Sequence, residues 1–370
     1  MNTARLTGAF RPNASFRGVT IIFLLTTVIA ASEASLFFGH LQYTIWTYFA
    51  LLFALSLAPL YFEVETPIFQ AFALIPVFRL VNLSMPVFFE LTLFWFPLIY
   101  GPLIPVFVYF GWRASVDDSE GRPAVVDDRE RTTGETGEVG YGLPWWLGGN
   151  RGGKFRWVLR RVRAFLAPPE EDLSLSRSIL YWSLRAVVVA ALPVVGIAVL
   201  VSLFVLTAYL AEIKYSLITS VPLVPSLDFY HLAALAVIMI GVVGFVEELL
   251  FRGVLQNVLE RRLGLVPGLL LASGIFGLMH SAYGVPMGIV FAGGVGVLFG
   301  VLYDATDSLV LVAAMHGLMN VFLFGIIPLT GTPPVDLLRA TVTGELQRAG
   351  MGWVVDVIPL LDVRLLVGVL

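Results

Sequence analysis

Long runs of apolar residues, rather than any single motif, limit most strongly what this chain can fold into. Five runs lie in the second half of the sequence, at 179–210, 231–251, 266–280, 285–302 and 309–329. Most of them approach the ~20 residues that an α-helix needs to cross the ~30 Å hydrocarbon core of a bilayer. Because lipid offers the backbone no hydrogen-bond partners, such runs cross a membrane as helices.

The first half of the sequence carries four further apolar runs, at 16–38, 42–62, 68–81 and 86–111. The first follows Arg5, Arg11 and Arg17, as a signal peptide would, but no convincing cleavage site follows it. We therefore interpret it as a retained helix. The third run contains Pro76 and Arg79, which predicts a short or re-entrant helix covered by protein. Together the runs predict an all-α, polytopic membrane bundle of about eight transmembrane helices.

The composition agrees with a membrane protein. Hydrophobic residues make up 58% of the chain and charged residues only 13%, whereas a soluble domain has about 45–50% and about 25%. So few charges cannot cover a water-facing surface of this size. A net charge of -3 and the lack of a basic groove motif argue against a nucleic-acid partner, so membrane lipids are the expected surroundings. The sequence has no cysteine, which excludes disulfides and Cys-ligated zinc.

The runs divide the chain into four regions. We predict N-terminal transmembrane helices at 1–111, a polar cytoplasmic loop at 112–177, a second transmembrane domain at 178–329, and a C-terminal tail at 330–370. Basic residues alternate with aromatic and aliphatic ones near 151–165, which favours an amphipathic helix on an anionic membrane surface over a solvated linker. The tail could span the membrane, lie at its interface or pack on the bundle.

Basic residues predict the orientation. Arg5, Arg11 and Arg17 place the N-terminus in the cytoplasm, and the Arg-rich loop that follows four crossings later is then cytoplasmic too. Only Lys154 and Lys214 among the 23 basic residues are lysine. An Arg-rich, Cys-free chain with acidic loop runs suits a GC-rich prokaryote, so we expect an integral protein of a prokaryotic plasma membrane.

Two adjacent acids stand at the end of the 231–251 run. Ionisable groups inside membrane helices are costly and usually have a partner or a function. Glu248 and Arg252 are four residues apart, so they share a helix face and can pair. Glu247 points about 100° away from Glu248 and lacks that partner. An ion pair of this kind is by itself most often structural.

Two later runs carry the other candidate groups. His280 ends the 266–280 run, and His316 and Asn320, four residues apart, share a face of the last run. A single histidine in such a run is most often a satisfied core residue. Three helices that each bring an acid, base or amide to otherwise apolar surroundings favour a catalytic site instead.

These residues form three short motifs in a fixed order. They read Glu-Glu-x-x-x-Arg at 247–252, Phe-x-x-x-His at 276–280 and His-x-x-x-Asn at 316–320. In this the chain resembles the CPBP family, which includes type II CAAX prenyl endopeptidases and bacteriocin-processing or self-immunity proteins. Each motif alone is weak, and the three together on apolar helices are strong. The resemblance does not extend to the first 175 residues.

The resemblance implies an intramembrane endopeptidase that hydrolyses a peptide bond of a peptide or protein substrate at the membrane. It implies that Glu247 is the general base and that His280 helps to activate a water. His316 and Asn320 would stabilise the tetrahedral oxyanion. An amide and an imidazole N–H one helical turn apart can both donate to one developing charge.

The resemblance also implies that Glu248, with Arg252, orients the site. Many members of the family are described as metalloproteases, and Glu247, His280 and His316 would then bind a divalent metal such as zinc with one position open. The family's other proposed mechanism is a metal-free water activated by glutamate. The spacing of the residues does not decide between them. The sequence has no His-Glu-x-x-His motif, which excludes a standard zincin.

Two other functions stay open at this point. One is a catalytically silent membrane chaperone or immunity factor of the same fold, against which the intact motifs argue. The other is a proton-coupled transporter with Glu247, His280 and His316 as a relay, against which the lack of an internal repeat argues. For the protease we expect Glu247, His280, His316 and Asn320 to converge on one cavity that opens to the cytoplasm. The sequence does not show whether the substrate is prenylated.

Overall fold

The structure is a computed structural model that describes residues 16–88, 93–120, 175–218 and 220–331, with isolated residues at 344, 347, 348 and 350. Every regular element within these ranges is a helix. By length and composition, eight helices of the described chain can cross a membrane. The predicted all-α polytopic membrane bundle is therefore confirmed.

Three long helices form the N-terminal part of the described bundle. Their bounds are α1 Phe16–Phe37, α2 Leu41–Leu57 and α3 Thr66–Phe88. The tight turn between α1 and α2 uses Gly39 at a φ of 83°, a conformation that favours glycine. Two short 3-10 turns, Ala58–Leu60 and Glu63–Glu65, connect α2 to α3.

The prediction of a short or re-entrant helix at 68–81 is wrong. The helix α3 is 23 residues long and continues through Pro76 and Arg79. Glu33 of α1 pairs with the Arg79 side chain at 2.6 Å. A charged residue can remain inside a membrane bundle when another helix supplies its counter-charge, which explains why α3 does not end there.

The prediction of one span at 86–111 is also wrong. After α3 the chain forms two separate helices, α4 Trp95–Tyr100 and α5 Leu103–Glu120. The break falls at Gly101 and Pro102, and proline has no N–H to continue the hydrogen bonding of α4. The helix α5 also extends into the region predicted as a polar loop. The nine residues at 112–120, which were predicted to begin the loop, are therefore helical.

Five helices form the rest of the described chain: α6 Leu175–Leu217, α7 Phe229–Leu263, α8 Leu265–Leu278, α9 Pro286–Thr306 and α10 Leu309–Thr330. Their positions match the predicted runs, except that α7 continues well beyond the predicted end at residue 251. Residues 121–174, which include the basic amphipathic segment, and nearly all of the 330–370 tail lie outside the described residues.

The extension of α7 is explained by polar side chains that bond within the helix. Gln256 donates to Glu260 at 2.7 Å, and Asn257 donates to the carbonyl of Gly253 at 2.7 Å. All three polar side chains are buried. Because the side-chain amide donors of Gln256 and Asn257 find acceptors within the helix, the helix can continue past the apolar run.

Three π-helical segments interrupt the α-helices near the candidate residues. Two lie in α7, at Met239–Gly244 and Leu249–Gln256, on either side of the short α-helical segment Phe245–Glu248 that holds the adjacent acids. The third, Phe322–Ile326, interrupts α10 just after Asn320. Such segments are rare and frequently occur at functional sites.

Helices α7 and α10 approach each other closely at Gly317. A Cβ atom at this position would lie 2.3 Å from the Cα of Ile240 and 2.5 Å from the carbonyl oxygen of Met239. Both atoms belong to the backbone of the first π-helical segment of α7. Only glycine therefore permits this contact, which brings His316 of α10 against the acids of α7.

Candidate active site

A cavity of about 340 Å³ lies among α3, α4, α6, α7, α8 and α10. Glu247, His280, His316 and Asn320, which the sequence analysis singled out, all line it. They come from the middle of α7, the turn after α8 and the middle of α10. The structure thus brings together the four residues to which the resemblance assigns the chemistry.

His316 lies between two carboxylates. Its Nδ1 is 2.6 Å from Oε1 of Glu248, and its Nε2 is 3.6 Å from Oε2 of Glu247. Because a carboxylate only accepts, the short contact places a proton on Nδ1. The longer contact exceeds hydrogen-bond distance, so Nε2 and Glu247 do not use each other's hydrogen-bonding capacity.

Glu248 also pairs with a cationic group. Its Oε2 is 2.9 Å from Nη1 of Arg252, and both side chains are almost completely buried. The angles of this contact are not those of a hydrogen bond, so it is an ion pair alone. Arg252 also donates from Nη2 to the carbonyl of Gly296 at 3.1 Å, and its guanidinium lies 4.6 Å from the centre of the Phe276 ring.

The contact between Glu248 and His316 was missed by the sequence analysis, which paired Glu248 with Arg252 alone. The two residues are 68 positions apart, and no local pattern connects them. Glu248 is therefore more than the partner of Arg252, because it also fixes the orientation and the tautomer of His316. Glu247 and Glu248 contact opposite edges of the same imidazole ring, as their divergent directions on α7 require.

His280 has a different environment. It follows α8 at a φ of -94° and a ψ of 7°, outside the regular helix. Its Nδ1 is 2.9 Å from the carbonyl oxygen of Phe276, which can only accept, so this nitrogen carries a proton. Its ring centre lies 5.0 Å from that of Phe276, and the ring of His316 lies 5.9 Å from the same phenyl group. The two imidazoles therefore both contact one aromatic ring.

Several polar residues of the cavity were not predicted as part of the site: Arg79, Asn82, Tyr100, Lys214 and Tyr283. Lys214, at the end of α6, is buried and is one of only two lysines in the sequence, which was a usable signal. Arg79 gave a signal too, since it is charged within an apolar run. That charge was interpreted as a reason for α3 to be short.

The predicted metal ligands do not form a metal site as they are placed. Among the residues that the structure describes, no group of three His, Asp or Glu side chains could hold a metal ion. Glu247 and His316 are in contact, and the Nδ1 atoms of His280 and His316 bond protein oxygens, which leaves both Nε2 atoms available as they are in metal-binding histidines. The described arrangement nevertheless does not bring three ligand side chains together, so no step below passes through a metal.

The cavity lies away from one basic end of the bundle. At that end the guanidinium of Arg17 lies 4.7 Å from the ring centre of Phe62, and Arg262 donates to the carbonyl of Val64. The exposed residues Ala282 and Tyr283, beyond the opposite end of α8, form part of the cavity lining. The cavity therefore extends toward the end of the bundle away from Arg17 and Arg262, and the cytoplasmic orientation of the N-terminus and of the cavity stays a prediction.

Comparison with known families gives one match. Residues 229–322 match the model described as "Rce1-like: Type II CAAX prenyl endopeptidase Rce1-like". No curated protein and no solved structure matched the chain. The matched range contains the four cavity residues together with Glu248 and Arg252. The family resemblance recognised from the three motifs is thereby confirmed over residues 229–322.

Proposed function

We propose that this protein is an intramembrane endopeptidase that hydrolyses a peptide bond of a membrane-associated substrate with a water activated by Glu247. One observation carries the proposal. Glu247, His280, His316 and Asn320 line a single cavity in a bundle of membrane-spanning helices, in the segment that matches a CAAX-type intramembrane protease family.

Glu247 is the general base of the proposed reaction. Its side chain is partly exposed to the cavity, whereas the side chain of Glu248 is completely buried and bonded to His316 and Arg252. Glu247 takes a proton from the attacking water, whose oxygen bonds to the carbonyl carbon of the substrate. The proton then passes to the leaving amine, as general acid–base catalysis of amide hydrolysis requires.

His280 assists the same water. Because Nδ1 of His280 donates to the Phe276 carbonyl, the Nε2 atom of the neutral ring carries a lone pair. That atom can accept a hydrogen bond from the water and orient it toward the substrate. The assisting role that the family resemblance gives to His280 is therefore compatible with this tautomer.

Asn320 is the donor to the developing oxyanion. Its side chain is buried on the cavity side of α10, one turn after His316. His316 directs Nδ1–H to Glu248, so its Nε2 can donate to an oxyanion only when the ring carries both protons. The Asn320 amide can donate in either protonation state of His316, and it is the constant part of the oxyanion site.

The full-length protein, purified and reconstituted in lipid nanodiscs, tests this function with a library of membrane-anchored peptides. Half of the peptides carry a prenylated cysteine and half do not. Mass spectrometry identifies the products with and without a chelator. We expect cleavage at discrete bonds and the same rate in the presence of the chelator.

Three results would contradict parts of the proposal. Folded protein that cleaves no peptide indicates the silent chaperone or immunity factor. Proton flux in liposomes without cleavage indicates the transporter. Cleavage that is lost with chelator and restored by zinc shows that Glu247, His280 and His316 rearrange to bind a metal.

A further inference from the structure

A buried polar network connects the N-terminal helices to the candidate active site. At its centre Glu33 of α1, which is completely buried, accepts hydrogen bonds on both carboxylate oxygens. Arg79 of α3 donates from Nε at 2.8 Å and from Nη2 at 2.6 Å. The hydroxyl of Tyr48 of α2 donates at 2.5 Å, and the hydroxyl of Ser281 donates to the second oxygen.

Ser281 makes this network relevant to catalysis, because it directly follows His280. The two residues lie where α8 ends, and Ser281 begins the short 3-10 turn Ser281–Tyr283. The Ser281 hydroxyl donates to Glu33 and lies 3.5 Å from Nη2 of Arg79. The backbone hydrogen bonds of the turn, from Tyr283 to the carbonyl of His280 and from Gly284 to the carbonyl of Ser281, are local. The side-chain contact to Glu33 joins the turn to α1 and so limits where the turn can lie.

We propose that Glu33, Arg79 and Ser281 are positioning residues that hold the backbone of His280 so that its imidazole faces the reacting water. The proposal rests on the proposed function above. His280 is then held from both sides, by the Phe276 carbonyl on its ring and by the Ser281 hydroxyl on the following residue. A displacement of about 1 Å in a group that orients a reactant can lower a rate by about 100-fold.

The placement of Glu33 and Arg79 supports a role beyond anchoring. Both residues lie outside the segment 229–322 that matches the protease family. Arg79 nevertheless lines the catalytic cavity, and Glu33 bonds directly to the turn after His280. An ion pair that only joined α1 to α3 would not need the contact to Ser281. The N-terminal helices in this view complete the active site.

The variant Ser281→Ala tests the proposal in the full-length protein, because it removes the contact to the turn and leaves the pair of Glu33 and Arg79. We expect near-normal folded yield with a modestly lower unfolding temperature, because one hydrogen bond to a buried carboxylate is lost. The kcat per folded molecule should be about 10- to 100-fold lower, with little change in KM. Ser281→Thr keeps the hydroxyl and should restore kcat. Ser273→Ala, which removes a buried hydroxyl from α8, the helix that precedes the turn, should cleave at the wild-type rate.

A second measurement separates positioning of His280 from a general structural effect. In a His280→Ala background, Ser281→Ala should cause no further loss of kcat, because the group it positions is gone. An equal loss in both backgrounds, or a Ser281→Ala loss explained by reduced folded protein, overturns the proposal. If wild type cleaves and Ser281→Ala matches it, this inference fails while the proposed function stands. If wild type cleaves nothing, the proposed function fails first and this inference with it.

Discussion

Helices α6 and α10 have similar apolar sequences and very different surroundings. The most apolar stretch of α6 has a mean hydropathy of 2.8, and none of it is buried in the described bundle. The corresponding stretch of α10 has a lower mean hydropathy of 2.1, and 67% of it is buried. The more hydrophobic helix is therefore the one that packs less.

The physical reason is that lipid tails are as apolar as a leucine side chain. Apolar character moves a helix into the membrane and adds no attraction between helices once it is there. Packing between membrane helices depends on close backbone approach and on polar contacts. The helix α10 has both, through Gly317 against Ile240 and through His316 against Glu248. Hydropathy thus indicates which segments span the membrane, and small and polar residues indicate which ones build the site.

The largest expected effect comes from Gly317→Ala. The added methyl group would lie 2.3–2.6 Å from backbone atoms of Ile240 and Met239, so α10 must move away from α7. We expect loss of folded protein in membranes, measured by detergent-resistant yield and thermal unfolding. Gly196→Ala in α6 is the matched control, because nothing lies within 4 Å of its added methyl. It should leave stability unchanged or raise it by up to ~1 kcal/mol. Equal effects of the two variants would contradict the comparison.

Arg252→Ala should have the next largest effect on stability. It leaves the buried Glu248 carboxylate without its ion-pair partner. Removing one partner of a buried pair typically costs about 3–5 kcal/mol, so folded yield should fall. Quantitative immunoblotting of membranes measures the folded yield, and thermal unfolding measures the loss of stability. Abundance that stays normal while activity disappears would show that Arg252 serves chemistry rather than structure.

Glu248→Gln should lower activity moderately. The amide can still accept from Nδ1–H of His316, but the charge that strengthens this bond and pairs with Arg252 is lost. A hydrogen bond to a charged group contributes about 1.5–3 kcal/mol, so we expect kcat to fall roughly 10- to 100-fold, with some loss of stability. The kcat per folded molecule is the quantity to measure. A wild-type kcat would show that Glu248 does not orient His316.

The smallest expected effect is a difference in stability between two leucine-to-alanine variants. Leu323→Ala removes a completely buried side chain of α10, whereas Leu200→Ala removes a largely exposed side chain of α6. The first should cost about 2 kcal/mol, near the low end for such changes, because the side chain leaves one apolar environment for another. The second should stay within about 0.5 kcal/mol. Thermal unfolding in the same nanodiscs compares them, and a larger loss for Leu200→Ala would reverse our account of α6.

The sequence predicted most helices well, because length and apolar character control insertion into a membrane. It failed where a long-range partner changes the cost of a polar group. Arg79 suggested a short α3 only because Glu33, 46 positions away, was not visible as its partner. The prediction of one span at 86–111 failed for a different reason. Gly and Pro are tolerated in membrane helices, and whether they break a helix depends on the neighbouring helices.

The candidate site shows the same limit. The three motifs identified Glu247, His280, His316 and Asn320 because polar residues are rare in these runs. The contact of Glu248 with His316 could not be predicted, because it depends on how closely Gly317 lets α10 approach α7. Lys214 was missed because it lies at the end of a helix, where a cation usually meets water.

The turnover of Glu247→Gln tests the central claim most directly. This change keeps the size of the side chain and removes the proton acceptor. Measured beside wild type and Glu248→Gln on one cleaved peptide in the same nanodiscs, it should leave folded yield and thermal unfolding near wild type. The kcat should fall by about two to four orders of magnitude, which is more than for Glu248→Gln. A Glu247→Gln protein that cleaves at a near-normal rate would contradict the assignment of Glu247 as the general base.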